Sequence, residues 1–225
     1  MKRRHFLGAA LRASIVSGAS IVSSASIVSS ASIVSGASII LGGCTLAPNT
    51  VQPALYDFGI DPAPAPAQPL RSRVALAEVS ANSWLQTQAI VYRLAYRDPA
   101  QLRPYSLSRW AAPPAELLTQ RLRDALGQAA RNGFSMVTEG LSADYLLRVH
   151  LEAFEQVVDT PTASRALVRM RARLSSAQRK PRAQRLFQSE RPCTSVDAAG
   201  SVHALKAAAD LAIVEMVDWV AAETA

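Results

Sequence analysis

Two stretches in the second half of the chain alternate between apolar and polar residues, and few folds accept that pattern. Tyr145, Leu147, Val149 and Leu151 are apolar, with Arg148, His150 and Glu152 between and after them. Further on, Ala166, Val168, Met170, Ala172 and Leu174 alternate with Arg165, Arg169, Arg171 and Arg173. A period of two places one set of side chains on a buried sheet face and the other in water. The Asp159-Thr160-Pro161 turn between them predicts an antiparallel meander. Arg179-Lys180-Pro181-Arg182 is a basic turn, and Leu186-Phe187 begins a return strand ending near Pro192.

Upstream, short strands are expected at Leu55–Ile60, Arg73–Val79, Ala89–Leu94 and Phe134–Val137. Arg103 to Trp110 reads as an aromatic loop leading to Pro113-Pro114, where missing N–H donors suit a helix start. Leu118, Leu122, Ala125, Leu126 and Ala129 then form one apolar stripe, stopped by Asn132-Gly133. A last helix spans about 196–222. Val202, Leu205, Ala209, Ala212, Ile213, Met216 and Trp219 line one side, and Lys206, Asp210 and Asp218 lie away from it. The fold class expected is α+β: a mostly antiparallel sheet with two main helices packed on one face.

The N-terminal part is of another kind. Lys2, Arg3, Arg4 and Arg12 form a basic start, and residues 13–43 carry no charge. Within them Ala-Ser-Ile-Val-Ser-Gly/Ser repeats from Ala13, Ala19, Ala25 and Ala31, with a truncated copy at Ala37. A step of six turns a helix by ~240°, so the Ile-Val pairs spread over three faces, as suits a segment surrounded by lipid. Leu41-Gly42-Gly43-Cys44 follows and has the form of a lipobox. Two small residues let a peptidase grip extended backbone, and the thiol takes the lipid as a thioether. Two or three chains anchor firmly where one is marginal, at ~0.8 kcal/mol per buried methylene. Other readings stay open: an uncut membrane span, a hexapeptide β-helix, or a plain cysteine in a Gly-rich turn.

This divides the chain into a signal segment at 1–43, an anchor and tether at 44–70, and a domain at 71–225. Within the tether, Pro62, Pro64, Pro66 and Pro69 alternate with alanine over most of the run and read as an extended spacer. Setting aside the four early basic residues, 20 Lys and Arg face 17 Asp and Glu, a net of +3. The basic whole-chain balance is therefore in part a property of the leader, and it is weak evidence for nucleic-acid binding. Cys193 is the one cysteine besides Cys44. It reads as a partly buried thiol or, alternatively, an intermolecular partner.

Several positions resemble the ABC-type transport auxiliary lipoprotein family, which includes the PqiC-type subunits of membrane-integrity transport systems. They are Cys44 with its lipobox, the Tyr56 strand, Val74 to Leu85, Ile90-Val91-Tyr92-Arg93, Tyr105, Arg109-Trp110-Ala111 before a leucine-rich helix, and the long final helix. Gly42, the expanded repeat and Ala111-Ala112-Pro113 depart from the family's pattern. The resemblance implies a non-enzymatic periplasmic lipoprotein, fastened by acyl chains such as palmitate to the outer membrane. It would work with an ABC permease and ATPase and with an MCE-type (mammalian-cell-entry) substrate-binding subunit that moves lipids. Self-association is left open. Thr45 is similar to residues that permit sorting to the outer membrane. A pilot or assembly factor for another envelope complex is the alternative.

No catalytic set is visible. There is no Gly-x-Ser-x-Gly elbow and no phosphate loop. His150 and His203 lack the companions of a metal site, so no metal or other cofactor is expected. The sharpest feature is the arginine row Arg165, Arg169, Arg171 and Arg173, with Arg148 as a candidate neighbour. It reads either as a solvated face balanced by Glu152 and Glu155, or as a patch for anionic headgroups or an acidic partner. Trp84, Tyr105 and Trp110 read as core and loop packing or as a docking surface.

Overall fold

In the computed structural model, residues 51–225 are described, and the signal segment, repeat and lipobox lie outside them. The expected α+β architecture is present: two helices pack with a curled, strand-rich sheet. Its spine is β7 (Tyr145–Thr160), paired antiparallel with β8 (Ala163–Ser176), which pairs antiparallel with β9 (Pro181–Pro192). β9 thus begins five residues before Leu186, at Pro181 within the basic turn.

On its other edge β7 takes three short strands in succession, all parallel. These are β2 (Val74–Leu76) at Tyr145–Leu147, β3 (Ser80–Ala81) at His150–Leu151, and β4 (Ala89–Leu94) at Gln156–Val158. β5 (Leu102–Trp110) pairs antiparallel with β4, and β1 (Ala54–Tyr56) adds parallel beside it. β6 (Phe134–Met136) closes the far side beside β2. The long ladders are antiparallel and the two- or three-residue ladders parallel, an admixture that periodicity does not signal.

Three expectations are corrected. The aromatic loop is strand β5, its Pro104 tolerated where register with β4 breaks in an irregularity. The strand expected over 55–60 stops at Tyr56, because Asp57 Oδ1 accepts the Gly59 N–H at 2.7 Å and Gly59 turns to φ +72°. The run 62–69 does not hang free as a spacer. Ala63 and the following Leu70 are buried. Leu70 donates its N–H to the Ala129 carbonyl at 2.8 Å and accepts from the Arg131 N–H at 3.0 Å. That bridge draws Ala130 out of helical geometry and ends α1 (Pro114–Ala129) before Asn132-Gly133 is reached.

A bulge at Leu151/Ala153 shifts the phase of β7, so Phe154 rather than Ala153 joins the core face. Beyond it, residues 153–158 are buried throughout. α2 (Ala198–Glu223) lies across β8 and β9 and touches α1. Its Leu205, Ala209, Ile213 and Met216 share one core with Val168, Met170 and Ala172 of β8 and with Leu118, Leu122 and Leu126 of α1. Trp110, 1% exposed, packs edge-on to Phe58 at 5.9 Å and against Phe154 at 5.5 Å, which seats β1 and β5 on the body. No helix among the described residues is long and apolar enough to cross a membrane.

Candidate functional site

Because α2 seals one face of β7–β8–β9, the opposite face is the one left to present polar side chains. Arg165, Arg169, Arg171 and Arg173 all stand on it, as their alternation requires. Their surroundings separate them. Arg165 pairs with Asp159 and reaches Glu190 at 3.0 Å. Arg171 meets Glu152 at 2.6 Å. Arg169 and Arg173 donate only to neutral amides, Gln188 Oε1 and Gln184 Oε1, both at 2.9 Å. Glu155, expected to balance the row, faces elsewhere: Arg93 holds it by two bonds of 3.2 and 2.9 Å.

Arg148 stands directly across β7–β8 from Arg173. Among the described residues neither has a carboxylate partner. These two arginines form a wall shared by two open clefts. One, of about 380 Å³, is lined by Ser80, His150, Glu152 and Arg171. The other, of about 490 Å³, is lined by Ser175, Arg179, Arg182 and the apolar Leu174, Pro181 and Ala183. Arg182 donates from Nε to the Glu223 carbonyl at 3.3 Å and pairs loosely with its carboxylate at 3.8 Å. The Ser175 hydroxyl is buried and has no hydrogen-bond partner among the described residues. Arg179, at the β8–β9 turn, is the one described non-glycine residue with positive φ, at +62°. The charge of Arg179 and Arg182 is visible in the sequence, but their convergence with Arg148 and Arg173 depends on the hairpin register.

The remaining candidates are placed as follows. His150 is half-buried, with Nδ1 2.9 Å from Ser80 Oγ and Nε2 3.1 Å from Asn82 Oδ1. His203 is exposed on α2, on a different element. Among the described residues no three metal-ligating side chains come together. Cys193 is half-buried, and burial pushes its thiol pKa up. It sits in a polar cluster built on the fully buried Gln156, which accepts from Tyr105 Oη at 2.5 Å and donates to Ser164 Oγ at 2.8 Å. Burial first, with neighbouring charge, raises the Tyr105 phenol to about 12. Trp84, Tyr105 and Trp110 form no common patch: Trp110 is core, Tyr105 stacks on Tyr92 at 4.7 Å, and Trp84 is on the surface. Leu41, Gly42, Gly43 and Cys44 lie outside the described residues.

No curated protein matches the chain. Among solved structures, protein XCC0632 from Xanthomonas campestris is 22% identical, with a TM-score of 0.66 over 76% of this chain and 96% of that one. An uncharacterized protein is 15% identical, with a TM-score of 0.57 over 75% of this chain and 99% of that one. Both likenesses concern the fold. The family model for the ABC-type transport auxiliary lipoprotein component matches residues 56–217, from Tyr56 in β1 nearly to the end of α2. A sheet, the docked strap at residues 57–70 and a helix pair, matched over that span, make the chain a member of the ABC-type transport auxiliary lipoprotein family.

Proposed function

We propose that this protein is a non-enzymatic accessory component of an ABC transport system with an MCE-type subunit, moving lipids across the envelope. It is anchored through lipidated Cys44 to the outer membrane and faces the periplasm. The observation that carries the reading is the short distance in sequence between a lipobox and an auxiliary-lipoprotein domain. Cys44 precedes the first residue of β1, Ala54, by ten positions. At ~3.5 Å per extended residue this leash reaches ~35 Å at most. A tether running to residue 70 would reach more than twice as far. Because the strap is docked, the domain is confined close to the bilayer that carries its anchor, where it grips transporter subunits.

Mass spectrometry of the mature N-terminus, with membrane fractionation and capture in gentle detergent, tests this. The expected result is an acylated Cys44 in the outer membrane with the ABC permease, ATPase and MCE-type subunit retained. A Cys44→Ser protein still placed in that membrane, or a capture that retains none of those subunits, refutes the reading.

A further inference from the structure

We propose that the cleft at the β8–β9 turn binds the phosphate of an anionic phospholipid headgroup, gripped by Arg148, Arg173 and Arg179. The choice of a lipid as the source rests on the anchoring reading above; the site itself rests on the cleft. Four observations converge on it. Arg148 and Arg173 are like charges facing each other across adjacent strands, an arrangement that is destabilising unless an anion lies between. Arg165 and Arg171, on the same face, already have carboxylates. The Ser175 hydroxyl is buried without a partner behind the wall of the same cleft, an uncompensated polar group at this end of the sheet. Arg179 holds a left-handed backbone at the cleft rim, a conformation costly for a side chain with a Cβ.

The chemistry selects the ligand. Guanidinium forks match the paired oxygens of a phosphate better than any single amine. A cleft of about 490 Å³ has room for more than an inorganic ion. Pro181, exposed at the rim, adds an apolar edge that suits the glycerol of a headgroup and gives nothing to an acidic peptide's carboxylates. The short leash keeps this surface within reach of a bilayer.

The test titrates the full chain, in uncharged detergent, with short-chain phosphatidylglycerol below its micelle concentration, using calorimetry. Two charge-matched double variants are compared, Arg148→Gln/Arg173→Gln and Arg165→Gln/Arg171→Gln. The first is expected to lose at least tenfold in affinity and the second less than threefold. Without lipid, the first is also expected to unfold no earlier than the wild type, since it relieves a like-charge contact. Equal losses in both variants would mean diffuse attraction and overturn the site. So would absence of binding, tighter binding of an acidic peptide, or inorganic phosphate binding as tightly as the lipid. Because the lipid is added free in solution, the outcome is independent of whether Cys44 carries an anchor.

Discussion

Removing the carboxylate of Asp210 is expected to loosen the strap and both helices together. Arg121 of α1 is 6% exposed and grips Asp210 of α2 with two bonds, Nε to Oδ1 at 2.8 Å and Nη2 to Oδ2 at 2.9 Å. Its remaining arm donates from Nη1 to the Asp61 carbonyl of the strap at 2.6 Å. Breaking a buried pair by deleting one partner costs ~3–5 kcal/mol, chiefly because the other charge stays buried alone. Asp210 is 17% exposed and Lys206 can turn to Asp61, which puts Asp210→Ala near the low end, ~3 kcal/mol. At ~2–4 °C per kcal/mol for a unit of this size, the melting temperature falls by ~6–12 °C. Arg121→Met should cost less, because Asp210 keeps Lys206 at 3.6 Å. Replacing both, as Arg121→Met/Asp210→Leu, should recover most of the loss, since a packed apolar pair serves as well as a buried ionic one. Thermal unfolding followed by near-UV dichroism reads all three, and hydrogen exchange at residues 57–63 reads the strap. Asp210→Ala within 1 kcal/mol of wild type, or a double variant worse than both singles, refutes the reasoning.

Three further outcomes follow from local geometry. A Cβ added at Gly200 would lie 2.5 Å from both the Ser195 carbonyl and its Oγ, so Gly200→Ala should destabilise by ~1–3 kcal/mol, read by urea unfolding. Asp197 caps α2, accepting the Gly200 N–H at 2.7 Å, and that bond with the Ser195 hydroxyl holds its carboxyl below the usual range. A depressed folded pKa gives stability present above the unfolded value and lost as pH falls through the folded one. Asp197→Ala should therefore cost ~1 kcal/mol at neutral pH and converge with wild type as pH falls through the depressed folded pKa. Ultraviolet titration should show one tyrosine ionising only near pH 12, and that late step should vanish in Tyr105→Phe.

The second half of the fold was legible because its rule is local. Ala166, Val168, Met170, Ala172 and Leu174 of β8 are all buried, as alternation alone requires. The helical stripes were legible for the same reason, with Leu118, Leu122 and Leu126 all fully buried. What the sequence concealed depends on contacts distant in the chain. α2 was read as having a wet side at Lys206, Asp210 and Asp218. In fact Asp210 answers Arg121, and Asp218 Oδ1 accepts the Gln68 N–H of the strap at 2.9 Å. The strap itself, rich in proline and poor in donors, looks like a spacer by composition. Only Leu70 and Ala63, single buried residues, signal otherwise. β5 was read as an aromatic loop; Pro104 interrupts it, and the structure shows its register with β4 to be irregular. At the candidate site, the arginine row was plain in the sequence. Which arginines lack a counter-charge was not, because Asp159, Glu190 and Glu152 reach them through turns and neighbouring strands.

Elsewhere in the domain, the larger buried polar side chains are matched. Arg121 has Asp210 and Asp61, Glu155 has Arg93, and Gln156 has Tyr105 and Ser164. The departures gather at one end of the outer sheet face: two arginines opposed, one arginine in a left-handed turn, one hydroxyl buried without a partner. Ser201, the other unpartnered hydroxyl among the described residues, lies inside α2, away from that end. A sequence consistent at every other level keeps local conflicts where a ligand resolves them. Two opposed arginines in one cleft wall repel when the cleft is empty and are bridged when an anion enters, so their interaction changes sign on binding. Filling the cleft should therefore tighten the β8–β9 hairpin as well as hold the ligand, so protection of the 176–181 turn against hydrogen exchange should rise with phosphatidylglycerol. A turn whose exchange is unmoved by saturating lipid would break the link between the strain and the site.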